Sequence, residues 1–186
     1  AAIEAEPVHA SAPAAASLAV RLSDRTDNTL QTRLKVLALL PNHPDRYAWR
    51  LVVAADAYDK HDVARARELW SSIPALVPES VEAAARCLAA TLQLPKDRII
   101  EGEPMRLSQR YDDAVEAHPS VVAKARGVVL RVRALHAVGR SNEAGRLAES
   151  LLDVAAIPEE VRPEAVAAAL EAFEASRRTD EAKRIV

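Results

Sequence analysis

The chain has 186 residues, 49% of them apolar and 3% aromatic, with a net charge of −2. That apolar content excludes general disorder, four glycines with abundant alanine argue for helix over sheet, and the near-neutral balance argues against a dedicated nucleic-acid binder. A single cysteine, Cys87, excludes an internal disulfide and fits a reducing compartment, which favours the cytoplasm over the periplasm, and no apolar run approaches the roughly 18 residues of a membrane span.

Residues 1–16 are rich in Ala, Pro and Glu without a clear period and read as a flexible tail or linker, entering a short helix near Ser17. The polar stretch 24–27 reads as a turn. Leu30, Leu34, Leu37 and Leu40 then form a helical stripe, which Pro41-Asn42-His43-Pro44 stops. The next helix carries Ala48, Leu51, Val52, Ala55 and Tyr58 at spacings of three and four, with Val53, Ala54 and Ala57 widening the stripe to a second side. A turn at Lys60-His61-Asp62 leads to a helix with Val63, Ala66, Leu69, Trp70 and Ile73 on one face. After Pro78, Val81, Ala84, Ala85, Leu88 and Leu92 mark a helix ending at Pro95, and the polar segment 96–103 is a long connection. Pro104 opens a helix with Leu107, Tyr111 and Ala114, closed by His118-Pro119. Val121, Ala125, Val128, Val132 and Leu135 follow, then a turn at Gly139 and the stripe Ala144, Leu147, Ala148, Leu151. Val166, Ala169, Leu170 and Phe173 give another helix, and Thr179-Asp180-Glu181-Ala182 opens a last one that Val186 cuts short. The expectation is that the natural chain extends past Val186. Because the chain begins with Ala1, a preceding segment is also expected to have been removed.

Two helices joined by a turn as short as 60–62 must lie antiparallel. Each such pair has two apolar sides, so it needs a neighbour on either side, which is the physical meaning of a stacked repeat. Pro44 and Pro78 bracket the clearest pair. Ala66, Ala144 and Ala182 hold equivalent places, the first interval spanning two units and the second one. Either interval gives a period longer than the distance from Pro44 to Pro78.

The unit resembles the tetratricopeptide repeat, which has about 34 residues, a small residue followed after three others by an aromatic, and a closing proline. The interval from Pro44 to Pro78 matches that length. Ala66 and Trp70 with Pro78 carry the pattern, and Leu107 and Tyr111 with Pro119 repeat its spacing. Arg50, Val53, Ala54 and Ala57 stand where the family favours Trp, Leu, Gly and Tyr. The resemblance implies an all-α, right-handed α-solenoid of about four stacked antiparallel helix pairs over residues 17–186. It further implies a groove lined by the first helices that binds a peptide or protein segment. By equivalence of spacing, Leu51, Ala55 and Tyr58 would face that groove in one unit, and Arg126, Val129, Arg133 and His136 in another. Glu164, Glu171 and Glu174 would lie on the corresponding face of the next, making the groove basic and then acidic. The asparagines and lysines of the family's carboxylate clamp are absent, so a chaperone-tail binder is not expected.

No catalytic constellation stands out, and no metal or cofactor is expected. Asp112-Asp113-Ala114-Val115-Glu116 has the look of an isoprenoid-synthase magnesium motif, but no second acidic motif accompanies it, and a solvated helix face beside Tyr111 is the plainer reading. The five histidines show no metal-ligand spacing. Cys87 sits beside Leu88 on an apolar face and reads as a small hydrophobe. Trp70 reads as core, whereas Trp49 lies off the main stripe and is a candidate partner anchor. The functional expectation is a non-enzymatic interaction or scaffolding module without nucleic-acid or membrane partners. The alternative is a non-catalytic accessory domain of a longer enzyme, such as a bacterial glycosyltransferase or polysaccharide-assembly protein.

Overall fold

The computed structural model of the protein describes residues 11–24 and 29–185. Residues 1–10, most of the expected tail, lie outside the described residues, as does the expected turn from Arg25 to Asp27. Among the described residues there are ten α-helices and no strand. They are α1 (Ala12–Ser23), α2 (Thr29–Leu39), α3 (Arg46–Asp59), α4 (Val63–Ser71), α5 (Glu79–Leu92), α6 (Glu103–Ala117), α7 (Val121–Ala137), α8 (Ser141–Ala148), α9 (Arg162–Ala175) and α10 (Thr179–Ile185). The chain divides into two compact units after Ile73.

In the first unit each helix packs on the next, α1 on α2, α2 on α3 and α3 on α4. Helix α1 starts at Ala12, ahead of the start near Ser17 that composition suggests. Pro13 stands in its first turn, where a missing N–H has no helical partner to lose, and Ala12, Ala16 and Val20 are buried at a spacing of four. Val36 and Trp49 complete that small core. Trp49 is therefore a core residue rather than an exposed anchor. Its ring stacks on buried His43 at 4.3 Å between centroids. His43 Nδ1 accepts the Asp45 N–H at 3.1 Å while Nε2 faces the Pro13 carbonyl at 3.0 Å, tying α1 to the turn before α3. In the α3–α4 pair, Asp62 caps α4 by accepting the Arg65 N–H at 3.2 Å. Ala66 and Trp70 are buried as expected, and Tyr58 lies 5.7 Å from the Trp70 ring.

In the second unit the helices again pack in sequence from α5 to α10. In addition α5 packs on α7 and α7 on α9, so the first helices of successive pairs meet directly. Alanines make this approach feasible: Ala83 and Ala84 on α5, Ala134 on α7 and Ala165, Ala168, Ala169 and Ala172 on α9 are all buried. Cys87 is 1% exposed among them. Leu107 on α6 is buried too.

The same turn closes α3, α7 and α9. His61, Gly139 and Arg177 have φ of 63°, 78° and 60°. Each donates to the carbonyl three residues back, on Tyr58, His136 and Glu174, at 2.9, 3.0 and 3.1 Å. The next N–H, of Asp62, Arg140 and Arg178, reaches the carbonyl five back, on Ala57, Leu135 and Phe173, at 2.9, 2.9 and 2.8 Å. This is the Schellman arrangement, whose left-handed residue favours glycine. The three turns recur at the same two intervals as Ala66, Ala144 and Ala182. Only Gly139 meets the backbone requirement without strain, and a Cβ there would touch nothing within 4 Å. His61→Gly is expected to raise stability and Gly139→Ala to lower it, each by about 0.5–1 kcal/mol after the entropy of the glycine chain is counted. Urea unfolding of the two variants checks this, and equal signs would contradict it.

Candidate functional site

Helix α7 positions the residues singled out in the sequence. Ser120 caps it by accepting the Ala123 N–H at 3.0 Å. The helix is flanked by α5, α6, α8 and α9, and its charged side chains fall on more than one stripe, one of them facing α9. Arg126 and Arg133 occupy that stripe, seven residues apart and so nearly in line. Across from them on α9 stand Glu164 and Glu171, also seven apart. Arg126 Nε lies 3.8 Å from Glu164 Oε2, and Arg133 Nε 3.9 Å from Glu171 Oε2. The two rows face each other as ion pairs, and pairs this exposed contribute only about 0.2–1 kcal/mol each.

Val129 does not belong to this surface. It is 0% exposed and packs in the core with Val132, Phe173 and their neighbours. Three residues on from Arg126 it has turned about 60° away from the arginine stripe, toward the apolar interior. His136 is exposed near the end of α7. Leu51, Ala55 and Tyr58 are half-buried on α3, which belongs to the first unit, whereas α7 belongs to the second.

Arg133 and His136 do come together, at a cavity of 410 Å³ between the end of α5, the connection after it, α7 and α9. Leu92, Leu94, Ile99 and Leu130 give it an apolar floor, and Lys96 and Glu171 join Arg133 and His136 at its rim. Sequence reasoning treats the connection 96–103 as a spacer. Its signal is the pair Ile99-Ile100, apolar residues in an otherwise polar loop, of which Ile99 lines the cavity and Ile100 is 69% exposed.

A second cavity, of 540 Å³, opens on another side of α7, against α6 and Leu147 of α8. Its chemistry is internal. The Tyr111 hydroxyl donates to the Ala123 carbonyl at 2.9 Å. Arg131 pairs with Asp112 across α6 and α7. Burial raises the Asp112 pKa, and the arginine opposes that rise. Asp113 accepts from Gln109 Nε2 at 2.8 Å. The two aspartates are engaged with neighbours in this way, and among the described residues no group of three His, Cys, Asp or Glu side chains is gathered to hold a metal ion. No helix among the described residues is long and apolar enough to cross a membrane.

Comparison with protein-family models, with curated proteins and with solved structures finds no match.

Proposed function

We propose that the protein is a non-enzymatic interaction module, an α-solenoid of stacked helix pairs similar to tetratricopeptide repeats. On this reading it binds a peptide or protein segment on the face made by α5, α7 and α9. The observation that carries the proposal is the packing of α5 on α7 and α7 on α9, with an apolar cavity under a charged rim left open between them. First helices stacked directly on one another form a continuous strip, which is how solenoids present an extended binding surface. The recurring turn at His61, Gly139 and Arg177 supports a common plan for the pairs. Glu164 and Glu171 beside the two arginines make the strip a poor match for a phosphate backbone and a suitable one for a polypeptide of mixed charge.

The test uses a twelve-residue peptide selected from a random display library against the full chain. Its affinity is then measured for the wild type and for Arg126→Ala plus Arg133→Ala. The double variant should bind about two- to thirtyfold more weakly, the range for two partly exposed charge contacts, with helix content unchanged by circular dichroism. Equal affinity at low salt would remove α7 from the binding surface.

A further inference from the structure

The cavity between the end of α5, α7 and α9 carries a more specific reading, which rests on the assignment of this face as the peptide-binding surface. We infer that it is an anchor site for one apolar side chain lying within one or two residues of an aspartate or glutamate. The partner is then an acidic, leucine- or methionine-bearing segment.

Size and lining point to a side chain. At 410 Å³ the cavity is at the low end of ligand pockets, which span about 300–1,000 Å³. Its floor of leucine and isoleucine offers an apolar group dispersion and burial but no hydrogen-bond pattern that would read a polar cofactor. An anchor side chain in such a pocket is the usual centre of a binding hot spot.

The rim supplies the second half. Lys96 and His136 stand there, neither in an ion pair among the described residues, together with Arg133, whose Nε approaches Glu171 no closer than 3.9 Å, past hydrogen-bond reach. In the next layer along α7 the arginine has one carboxylate neighbour as well. There Glu164 of α9 stands 3.8 Å from Arg126, while Glu82 on α5 is taken by Arg86 at 2.6 Å. Seven residues on from Glu82 along α5 stands Ala89, which lines the cavity and offers Arg133 no carboxylate. A carboxylate from a partner would stand beside Arg133 at the rim, with Lys96 as a second cation. Its apolar neighbour would reach the leucine floor beneath.

The test is the composition of selected peptides and its reversal by charge. Peptides enriched from the random display library are resynthesised with acetylated and amidated ends, so that no terminal carboxylate can substitute for a side chain. They should share a leucine, methionine or isoleucine within two positions of Asp or Glu. Lys96→Glu plus Arg133→Glu should weaken them about tenfold or more, as expected when two attractive charges become repulsive, and should improve binding of the same peptides with Asp or Glu changed to Lys. Because Glu171 faces position 133, Lys96→Glu alone and Ile99→Asp, both in the connection after α5, serve as further variants. Each should weaken the same peptides if the double variant fails to fold. Peptides that bind this face with no acidic–apolar pair, or whose affinity is unmoved by Lys96→Glu and Ile99→Asp, overturn the inference while leaving a peptide-binding face in place. Enrichment of no peptide, or binding insensitive to every change on α5, α7 and α9, overturns both.

Discussion

Phe173→Ala lowers stability by about 3–5 kcal/mol, the range for removing a large ring from a core that cannot collapse around the gap. The ring is 0% exposed and belongs to the one phenylalanine in the chain. It sits on α9, which packs on α7, α8 and α10. Many of its core companions are alanines, Ala144, Ala148, Ala165, Ala168, Ala169 and Ala172, which have no side-chain length with which to fill a cavity. Domains of ordinary stability hold only about 5–15 kcal/mol in total, so this one change removes a large share. Urea unfolding followed by circular dichroism should show a lower midpoint at unchanged slope. A loss under about 1 kcal/mol would mean that the ring does not carry the core described here.

Alkaline titration gives the second large effect, at Tyr111. Burial pushes its pKa from 10.0 up to about 12; Arg126 opposes that rise, and Glu82, Asp112 and Glu164 add to it. The hydroxyl must keep its proton to donate to the Ala123 carbonyl. Between pH 10 and 12 the unfolded chain has released this proton while the folded one retains it. The folded state therefore binds more protons, and stability falls as pH rises. The contribution is fully present below pH 10 and is lost as pH rises through about 12. After allowance for solvent screening it amounts to something on the order of 1–3 kcal/mol. Tyr111→Phe should be less stable than the wild type at pH 7 by about 1–3 kcal/mol, because the Ala123 carbonyl loses its donor. The gap should narrow steadily across the alkaline window. A gap that stays constant from pH 8 to pH 12 would show that the hydroxyl is not held in its neutral form.

Helix positions were legible because the chain alternates wide apolar stripes with proline, glycine and polar turns. The turn at 60–62, the break at Gly139 and the start at Thr179 appear where spacing puts them. Helix α1 was legible only from about Ser17, because its early buried face is written in alanine. Ala12 and Ala16 are buried four apart, yet in an Ala/Pro-rich segment they look like composition rather than pattern. The site was less legible than the fold. Equivalence of spacing puts Arg126 and Arg133 on one stripe, and they share one. It could not show that Glu164 and Glu171 pair with them, since that depends on the distance between α7 and α9. Spacing misplaces Val129 because four helices surround α7, and a residue 60° from an exposed stripe is already in the core (about 100° per residue). Lys96 and Ile99 escape notice because a connection has no period to read.

Backbone hydrogen exchange measured by mass spectrometry, with and without a selected peptide, tests the central claim most directly. A ligand that sits on the face of α5, α7 and α9 must slow exchange where it restrains the backbone. Slowing is predicted from the end of α5 through the connection at Ile99, along the half of α7 that carries Leu130 and His136, and around Glu171. Slowing confined to the cavity beside Tyr111 and Leu147, or to the helices of the first unit, would contradict the account.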